Sequence, residues 1–80
     1  MFGFNKIDGA TLVGRALGVS RNCDVQAIEE GIRITYESSE NAQSLQRTLQ
    51  REGVRARVAG QSVVVPFDSI EGEDFGQDSE

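Results

Sequence analysis

The alternation of apolar and polar residues divides this chain into helices and strands. Its clearest segment spans residues 40–52, where Ala42, Leu45 and Leu49 recur at the spacing of one helical face. The two serines before this segment are candidate N-caps, and Gly53 stands where glycine commonly ends a helix. The pattern therefore predicts an amphipathic helix over residues 40–52.

Strand-like segments stand on both sides of this helix. Residues 32–37 alternate between apolar and polar side chains, and residues 54–58 repeat the alternation after the helix. A turn at residues 59–61 leads into the valine run 63–65, which Pro66 closes. We read these last two pieces as a hairpin. The valine run is typical of a strand covered on both faces, although β-branched residues on an exposed face give the same pattern.

The N-terminal part carries weaker signals of the same kind. Asp8 is a candidate cap for a short helix over residues 9–17, which its glycines weaken. Residues 25–28 then resemble a strand, and turn residues separate them from the next strand. These segments predict a first hairpin over residues 24–37.

The resulting order αββαββ predicts an α+β fold, with two helices packed on one face of a four-stranded, mostly antiparallel sheet. The two halves also match in their apolar positions. The pairs are Leu12 with Leu45 and Ala16 with Leu49 at an offset of 33, and Ile32, Ile34 and Tyr36 with Val63, Val65 and Phe67 at an offset of 31. An internal duplication produces such a pattern, and so does chance similarity between two amphipathic units.

Charge separates the C-terminal end from the rest of the chain. Residues 68–80 contain six of the 13 acidic residues and no basic residue, so residues 1–67 carry seven acids against eight bases. The tail is too poor in apolar residues to bury a core of its own. We therefore predict a single small domain over residues 1–67 and a disordered acidic tail over residues 68–80.

The composition argues against several classes of site. The chain has no His and a single Cys, so it lacks an imidazole base, the ligands of a Cys/His zinc site and an internal disulfide. Cys23 is expected to be a small, half-buried residue, since no neighbouring group would lower the pKa of its thiol. No apolar run approaches the ~18 residues of a membrane span. We expect a soluble, cytoplasmic protein that is not an enzyme, uses no cofactor or metal and binds no membrane.

Arginine accounts for seven of the eight basic residues. If the strand faces are as predicted, Arg33, Arg55 and Arg57 project from the sheet face opposite the helices, where guanidinium groups suit phosphate or carboxylate. Arg47 and Arg51 lie one helical turn apart on the neighbouring helix. An ordinary solvated face is the alternative. No aromatic residue clearly shares this face, so the sequence offers little sign of base stacking.

Both ends of the chain offer hydrophobic residues for contacts. In the tail, a segment for docking on a partner would comprise Ile70, Glu71, Glu73, Asp74 and Phe75. The same tail could instead shield the arginine face or only keep the protein soluble. At the other end, Phe2 and Phe4 are expected to cover the core or to form a contact in a homo-oligomer.

Residues 39–58, SENAQSLQRTLQREGVRARV, resemble the helix-then-strand half of SPOR peptidoglycan-binding domains. This resemblance covers about a quarter of the chain and has no counterpart of the second half of such a domain, so it does not place the chain in that family.

Three functional hypotheses follow. The first is a non-catalytic module that binds another protein, as an adaptor or inhibitor of the kind found among small accessory proteins of bacteria and their viruses. The second is a nucleic-acid-binding module whose arginine face the acidic tail covers. The third is a structural subunit that assembles through sheet edges, which two hairpins in a short chain leave open.

Overall fold

The computed structural model describes residues 5–71, and it confirms the predicted α+β fold. The elements are β1 (Ile7–Asp8), α1 (Gly9–Val19), β2 (Cys23–Ala27), β3 (Gly31–Tyr36), α2 (Ser39–Arg51), β4 (Arg57–Ala59), β5 (Ser62–Pro66), a 3-10 helix (Phe67–Ser69) and β6 (Ile70–Glu71). The larger sheet is antiparallel throughout in the order β2-β3-β5-β4, and β1 pairs with β6 as a small parallel sheet. Both helices pack on one face of the larger sheet.

Helix α2 begins and ends within one residue of the prediction. The Ser38 hydroxyl accepts a hydrogen bond from the backbone N–H of Asn41 at 3.3 Å, as an N-cap should. After the helix, Gly53 adopts a φ of +79°, a conformation that glycine reaches without steric cost. Local sequence therefore sets both ends of this helix.

The core lies between the helices and the alternate residues of the two central strands. Ile32, Ile34 and Tyr36 from β3 meet Val63 and Val65 from β5, and all are at most 3% exposed. The helices cover them with Leu12 and Ala16 from α1 and with Ala42, Leu45 and Leu49 from α2. Each large aliphatic side chain buried in this way stabilises the fold by about 1.5–3 kcal/mol.

One glycine is fixed by the approach of the two central strands. Gly31 lies opposite Pro66, and a Cβ built on Gly31 would overlap the carbonyl oxygen of Val65 and lie 2.7 Å from the Pro66 Cα. Because these atoms belong to the backbone, they cannot move aside as a flexible side chain could. Any side chain at Gly31 would therefore disturb the pairing of β3 with β5.

The two αββ halves are related by an internal two-fold symmetry. Raising both numbers of the pair Gln26–Arg33 by 31 gives Arg57–Val64, so the two hairpins share one register. The central strands pair Arg33 with Val64, two residues that themselves differ by 31, so the axis passes through that pair. Buried helix positions repeat at the predicted offset of 33. They are Gly9, Leu12 and Ala16 in α1 and Ala42, Leu45 and Leu49 in α2. The halves have the geometry that duplication of one unit produces.

The second hairpin departs from the prediction before residue 57. Strand β4 has only three residues, whereas alternation predicted a strand from Val54 onwards. The backbone N–H of Val54 instead donates to the Leu49 carbonyl at 2.9 Å, and Val54 forms a separate parallel bridge with Asn5. The bridge and the end of α2 thus hold Val54 away from the sheet, although its side chain still joins the core.

The C-terminal boundary also differs from the prediction. Residues 68–71 were assigned to a disordered tail, yet Ile70 is 7% exposed and pairs with Ile7. The ordered part of the chain therefore reaches at least Glu71. The prediction missed this strand because two residues carry no periodicity. Pro66 closes β5, as predicted, and β5 is a central strand of the larger sheet.

Candidate functional site

The sheet face opposite the helices, here the open face, carries the predicted arginines. Arg33 and Arg57 lie on either side of Val64 across β3, β5 and β4. Arg55 lies two residues before Arg57, is exposed and lines the same small cleft. The prediction that these three arginines share one face is consistent with this arrangement.

Arg33 and Arg57 already bind neighbouring side chains. The Nη2 of Arg57 lies 2.8 Å and 2.9 Å from the two carboxylate oxygens of Glu30, and the Nη2 of Arg33 donates to the Gln26 Oε1 at 2.6 Å. The Nε of Arg33 is buried and lacks a hydrogen-bond partner among the described residues. Val64 is 3% exposed although it lies on this face, where Arg33 and Arg57 flank it on the two paired strands. These contacts tie both guanidinium groups into the sheet.

Arg47 and Arg51 do not join this group. Both are exposed on α2, and α2 covers the opposite face of the sheet. The five arginines therefore fall into two layers of the molecule rather than one patch. Acidic groups, Asp24 and Glu30, also border the open face, and the Tyr36 ring points to the helix side. The nucleic-acid hypothesis stays a prediction.

Among residues 5–71, a small depression and a wider one lie at the open face and its ends. The smaller measures about 90 Å³ and is lined by Glu30, Arg55, Ala56, Arg57, Val64 and Pro66. The larger measures about 420 Å³, is wide open, and is lined by Arg21, Asn22, Cys23, Asp24, Thr35, Tyr36 and Glu37. Within residues 5–71, no three His, Cys, Asp or Glu side chains lie together as metal ligands would.

Cys23 has the wrong environment for an activated thiol. It is half-buried at the start of β2, as predicted. Burial raises the pKa of its thiol above the ordinary value, and the neighbouring Asp24 carboxylate raises this pKa further. A reactive cysteine needs a lowered pKa, so the thiol at this position stays protonated near neutral pH.

The residues predicted at the two chain ends are only partly within the described structure. Ile70 is buried beside Ile7 and cannot dock on a partner, while Glu71 is exposed at the end of β6. The other predicted contacts at the ends lie outside the described residues: Phe2, Phe4, Glu73, Asp74 and Phe75.

The feature that best qualifies as a binding surface is the outer edge of β2; sequence reasoning predicted open sheet edges but did not identify the strand that forms this one. This β2 edge consists of residues 23–27 at the end of the larger sheet. The Ile28 N–H donates to the Gly31 carbonyl at 2.8 Å and closes the hairpin, which fixes the direction of the backbone groups along β2. In an antiparallel pair, the backbone N–H and C=O groups of successive residues point alternately toward the partner strand and away from it. Since those of Ile28 point toward β3, the N–H and C=O groups of Cys23, Val25 and Ala27 point away from it. They are directed outward from the edge.

An apolar strip accompanies this edge on the helix side. Leu17 is 45% exposed and Val25 is 38% exposed, and they are the exposed large hydrophobic residues of the described chain. Arg15 faces α2, since its Nε lies 2.8 Å from the Glu52 Oε2. Leu17 is two residues further on, about 200° around α1, and so faces away from α2 toward the β2 edge.

Internal symmetry shows that the fold does not require this strip to be apolar. Ala10, Val13 and Leu17 lie in a row along the outer flank of α1, and Val25 of β2 continues this apolar strip. At the offset of 33, the corresponding residues of α2 are Gln43, Gln46 and Gln50. The Gln46 Nε2 donates to the Gln50 Oε1 at 3.5 Å in the ordinary manner of a solvated helix face. One half of the molecule thus exposes hydrophobic side chains where the other half exposes amides.

The edge of β4, at the other end of the larger sheet, is also less suited to binding than the edge of β2. It has three residues rather than five, and it begins with the charged Arg57. Short length and charge are common ways of protecting a sheet edge. β2 instead pairs regularly with β3 over five residues and contains one charge, Asp24. Because pairing and burial decide which strand is an edge, the sequence predicted open edges but could not assign this one to β2.

Comparison of the chain with protein-family models, with curated proteins and with solved structures gave no match. No helix in the described part of the chain is long and apolar enough to span a membrane. The case for function therefore depends on the geometry of the chain itself.

Proposed function

We propose that this protein is a non-catalytic protein-binding module, an adaptor or inhibitor, which takes an extended segment of its partner onto the β2 edge. The observation that carries this proposal is the open five-residue edge beside the exposed Leu17 and Val25. The edge of β4, which corresponds to the β2 edge in the other half of the molecule, is short and charged, and the corresponding flank of α2 carries amide side chains.

The backbone of β2 would supply the affinity. Strand addition satisfies the outward N–H and C=O groups of Cys23, Val25 and Ala27 with main-chain hydrogen bonds. Each such bond contributes about 0.5–1.5 kcal/mol in net terms. An incoming strand also covers apolar surface on Val25 and Leu17, at about 25 cal/mol per Å² removed from water.

The two sides of β2 would supply the selectivity. On the helix side, Val25 and Leu17 offer apolar contacts, whereas Asp24 and Gln26 lie on the open face. A strand that alternates apolar and polar residues places each set against a matching surface. The proposal therefore favours amphipathic extended segments over helices or uniformly charged peptides.

A non-catalytic role agrees with the chemistry of the chain. Its single cysteine has a raised pKa, and no histidine is present anywhere in the sequence. The side chains that do approach one another, such as Arg57 with Glu30 and Arg15 with Glu52, are exposed ion pairs of the kind that surfaces commonly carry.

Selection from a displayed library of random linear peptides, with the full chain as target, tests the proposal. We expect the selected peptides to alternate apolar and polar residues. The measurement is fluorescence anisotropy with the synthetic peptides. Val25→Pro should weaken binding at least about tenfold, because proline removes one outward N–H without touching the pairing of β2 with β3.

Two further variants make the test specific. Leu17→Gln, which gives α1 the residue of the symmetric position, should also weaken binding, whereas Gln50→Glu on the opposite flank should leave it unchanged. Circular dichroism checks that each variant is folded. Peptides that bind Val25→Pro and Leu17→Gln as tightly as the original chain would place the binding surface elsewhere and overturn the proposal.

A further inference from the structure

We infer that the strand received at the β2 edge is β2 of a second copy of this chain, so that two four-stranded sheets join into one of eight strands. This inference deepens the proposed function and rests on the same edge. It assigns a homodimer with two-fold symmetry, in which the two β2 strands run antiparallel about Val25.

The outward backbone groups of β2 suit pairing with themselves. In an antiparallel pair centred on Val25, Cys23 of one copy lies opposite Ala27 of the other, and Val25 lies opposite Val25. These three residues are the ones whose N–H and C=O groups point outward, as the hairpin hydrogen bond from Ile28 to Gly31 requires. Each of the three pairs can therefore exchange two backbone hydrogen bonds, and no outward group along β2 stays unpaired.

Charge and length select this register over its neighbours. A pair centred on Asp24 would set the two Asp24 carboxylates opposite each other, which is destabilising. A pair centred on Gln26 would leave Cys23 without a partner in the other strand. Only the register centred on Val25 pairs all five residues of β2, and it sets Asp24 opposite the amide of Gln26.

The side chains on both faces of β2 agree with that register. On the helix side, valine meets valine and cysteine meets alanine, flanked by the exposed Leu17 of each copy. On the open face, Gln26 accepts a hydrogen bond from Arg33 at 2.6 Å, so Asp24 of the second copy approaches a positively charged neighbour. Apolar surface is thus buried on one side, and opposite charges approach each other on the other.

Disulfide cross-linking of the full chain tests the register. Ala27→Cys places a new thiol opposite the native Cys23 of the other copy, and directly paired strand residues lie within the Cα separation that a disulfide spans. Within one chain the same two residues are about 13 Å apart along the strand, which forbids an internal bond. We expect Ala27→Cys to form a covalent dimer under mild oxidation at alkaline pH, where the Cys23 thiol ionises.

Matched variants decide between this register and other contacts. In a Cys23→Ser background, Ala27→Cys should no longer form a covalent dimer, while Val25→Cys should form one across the two-fold axis. Covalent dimer in the Ala27→Cys, Cys23→Ser double variant at the level of Ala27→Cys alone would contradict the register.

Sedimentation equilibrium of the unmodified chain, from micromolar to millimolar concentration, tests the dimer itself. We expect a monomer–dimer equilibrium that Val25→Pro and Val25→Lys both shift at least about tenfold toward monomer and that Gln50→Glu leaves unchanged. A monomer at all concentrations, or a dimer that persists in both Val25 variants, would overturn the inference. Library peptides that still bind the β2 edge of such a protein would leave the proposed function standing, so the two failures are distinguishable.

Discussion

The contribution of each residue in the larger sheet depends on the face of the sheet toward which its side chain points. Val64 stands between Val63 and Val65, yet only the outer two face the helices, and Val64 is buried on the open face between Arg33 and Arg57. Those arginines therefore contribute packing as well as charge. Tyr36 acts on the helix side, where its hydroxyl donates to the Ala16 carbonyl at 2.7 Å and joins β3 to α1.

Because of Tyr36, the stability of the fold should decrease as the pH rises through the alkaline range. Burial and, as the smaller contribution, the thiolate of Cys23 together raise the pKa of its phenol to about 12. Because the folded state holds this proton more tightly, the stabilisation is complete below the unfolded pKa of about 10 and is lost as pH rises toward 12. We expect the urea midpoint to fall across that range.

Tyr36→Phe is the control for this effect. The variant should lose about 0.5–1.5 kcal/mol at neutral pH, through the missing hydrogen bond, and should lose the decline that Tyr36 causes between pH 10 and 12. The chain has one Tyr and no Trp, so ultraviolet absorbance reports the ionisation of this residue directly. A midpoint that falls equally in both proteins would assign the decline to other groups.

The two helices illustrate how elements with the same place in the fold differ in what stabilises them. Both follow a residue that commonly serves as an N-cap. Ser38 accepts a hydrogen bond from Asn41, but the Asp8 side chain makes no cap hydrogen bond and the residue pairs in β1. α1 also contains Gly14 and Gly18. We infer that packing and its junction with β1 stabilise α1, whereas α2 also has favourable local signals.

This difference predicts unequal costs for removing the two caps. Ser38→Ala should lower the free energy of unfolding by about 1 kcal/mol, within the ~0.5–2 kcal/mol range of N-cap removal. Asp8→Ala should cost less, since it removes only the attraction between a carboxylate and the helix dipole. Urea unfolding of both variants measures the comparison. Equal losses would show that Asp8 caps α1 in solution.

At the scale of the whole molecule, two symmetric halves are joined by elements that lie outside the symmetry. β1 and β6 bring the two ends of the described chain together, with Ile7 beside Ile70. The backbone N–H of Asn5 donates to the Gly53 carbonyl at 2.8 Å, which ties the segment before β1 to the turn after α2. Residues that lie far apart in sequence thus close one side of the fold.

Ile70 tests how much this closure contributes. Ile70→Ala should lower the free energy of unfolding by about 2 kcal/mol, the lower end for truncating a buried isoleucine, because the residue keeps slight exposure. Glu71→Ala, at the exposed next position, is the control and should change stability by less than about 0.5 kcal/mol. A loss for Ile70→Ala as small as for Glu71→Ala would return residues 68–71 to the predicted disordered tail.

The elements that carry their own periodicity can be read directly from local spacing along the chain. Helix α2, the alternation of β3, the position of both hairpins and the order αββαββ follow from local spacing, which is why they could be predicted. The offsets of 33 and 31 between the halves were also visible, since matching apolar positions require no knowledge of contacts.

Contacts between distant parts of the chain determine which of these elements are central, which are edges and which residues meet. Pairing placed β5 inside the sheet and left β2 at its edge, and it separated Arg47 and Arg51 from the other arginines. β1 and β6 are too short to show a period, and only their contact with each other makes them strands. The exposure of Leu17 and Val25 has the same origin. An amphipathic pattern states that a residue is apolar, but the neighbours that cover it, or fail to, come from distant parts of the chain.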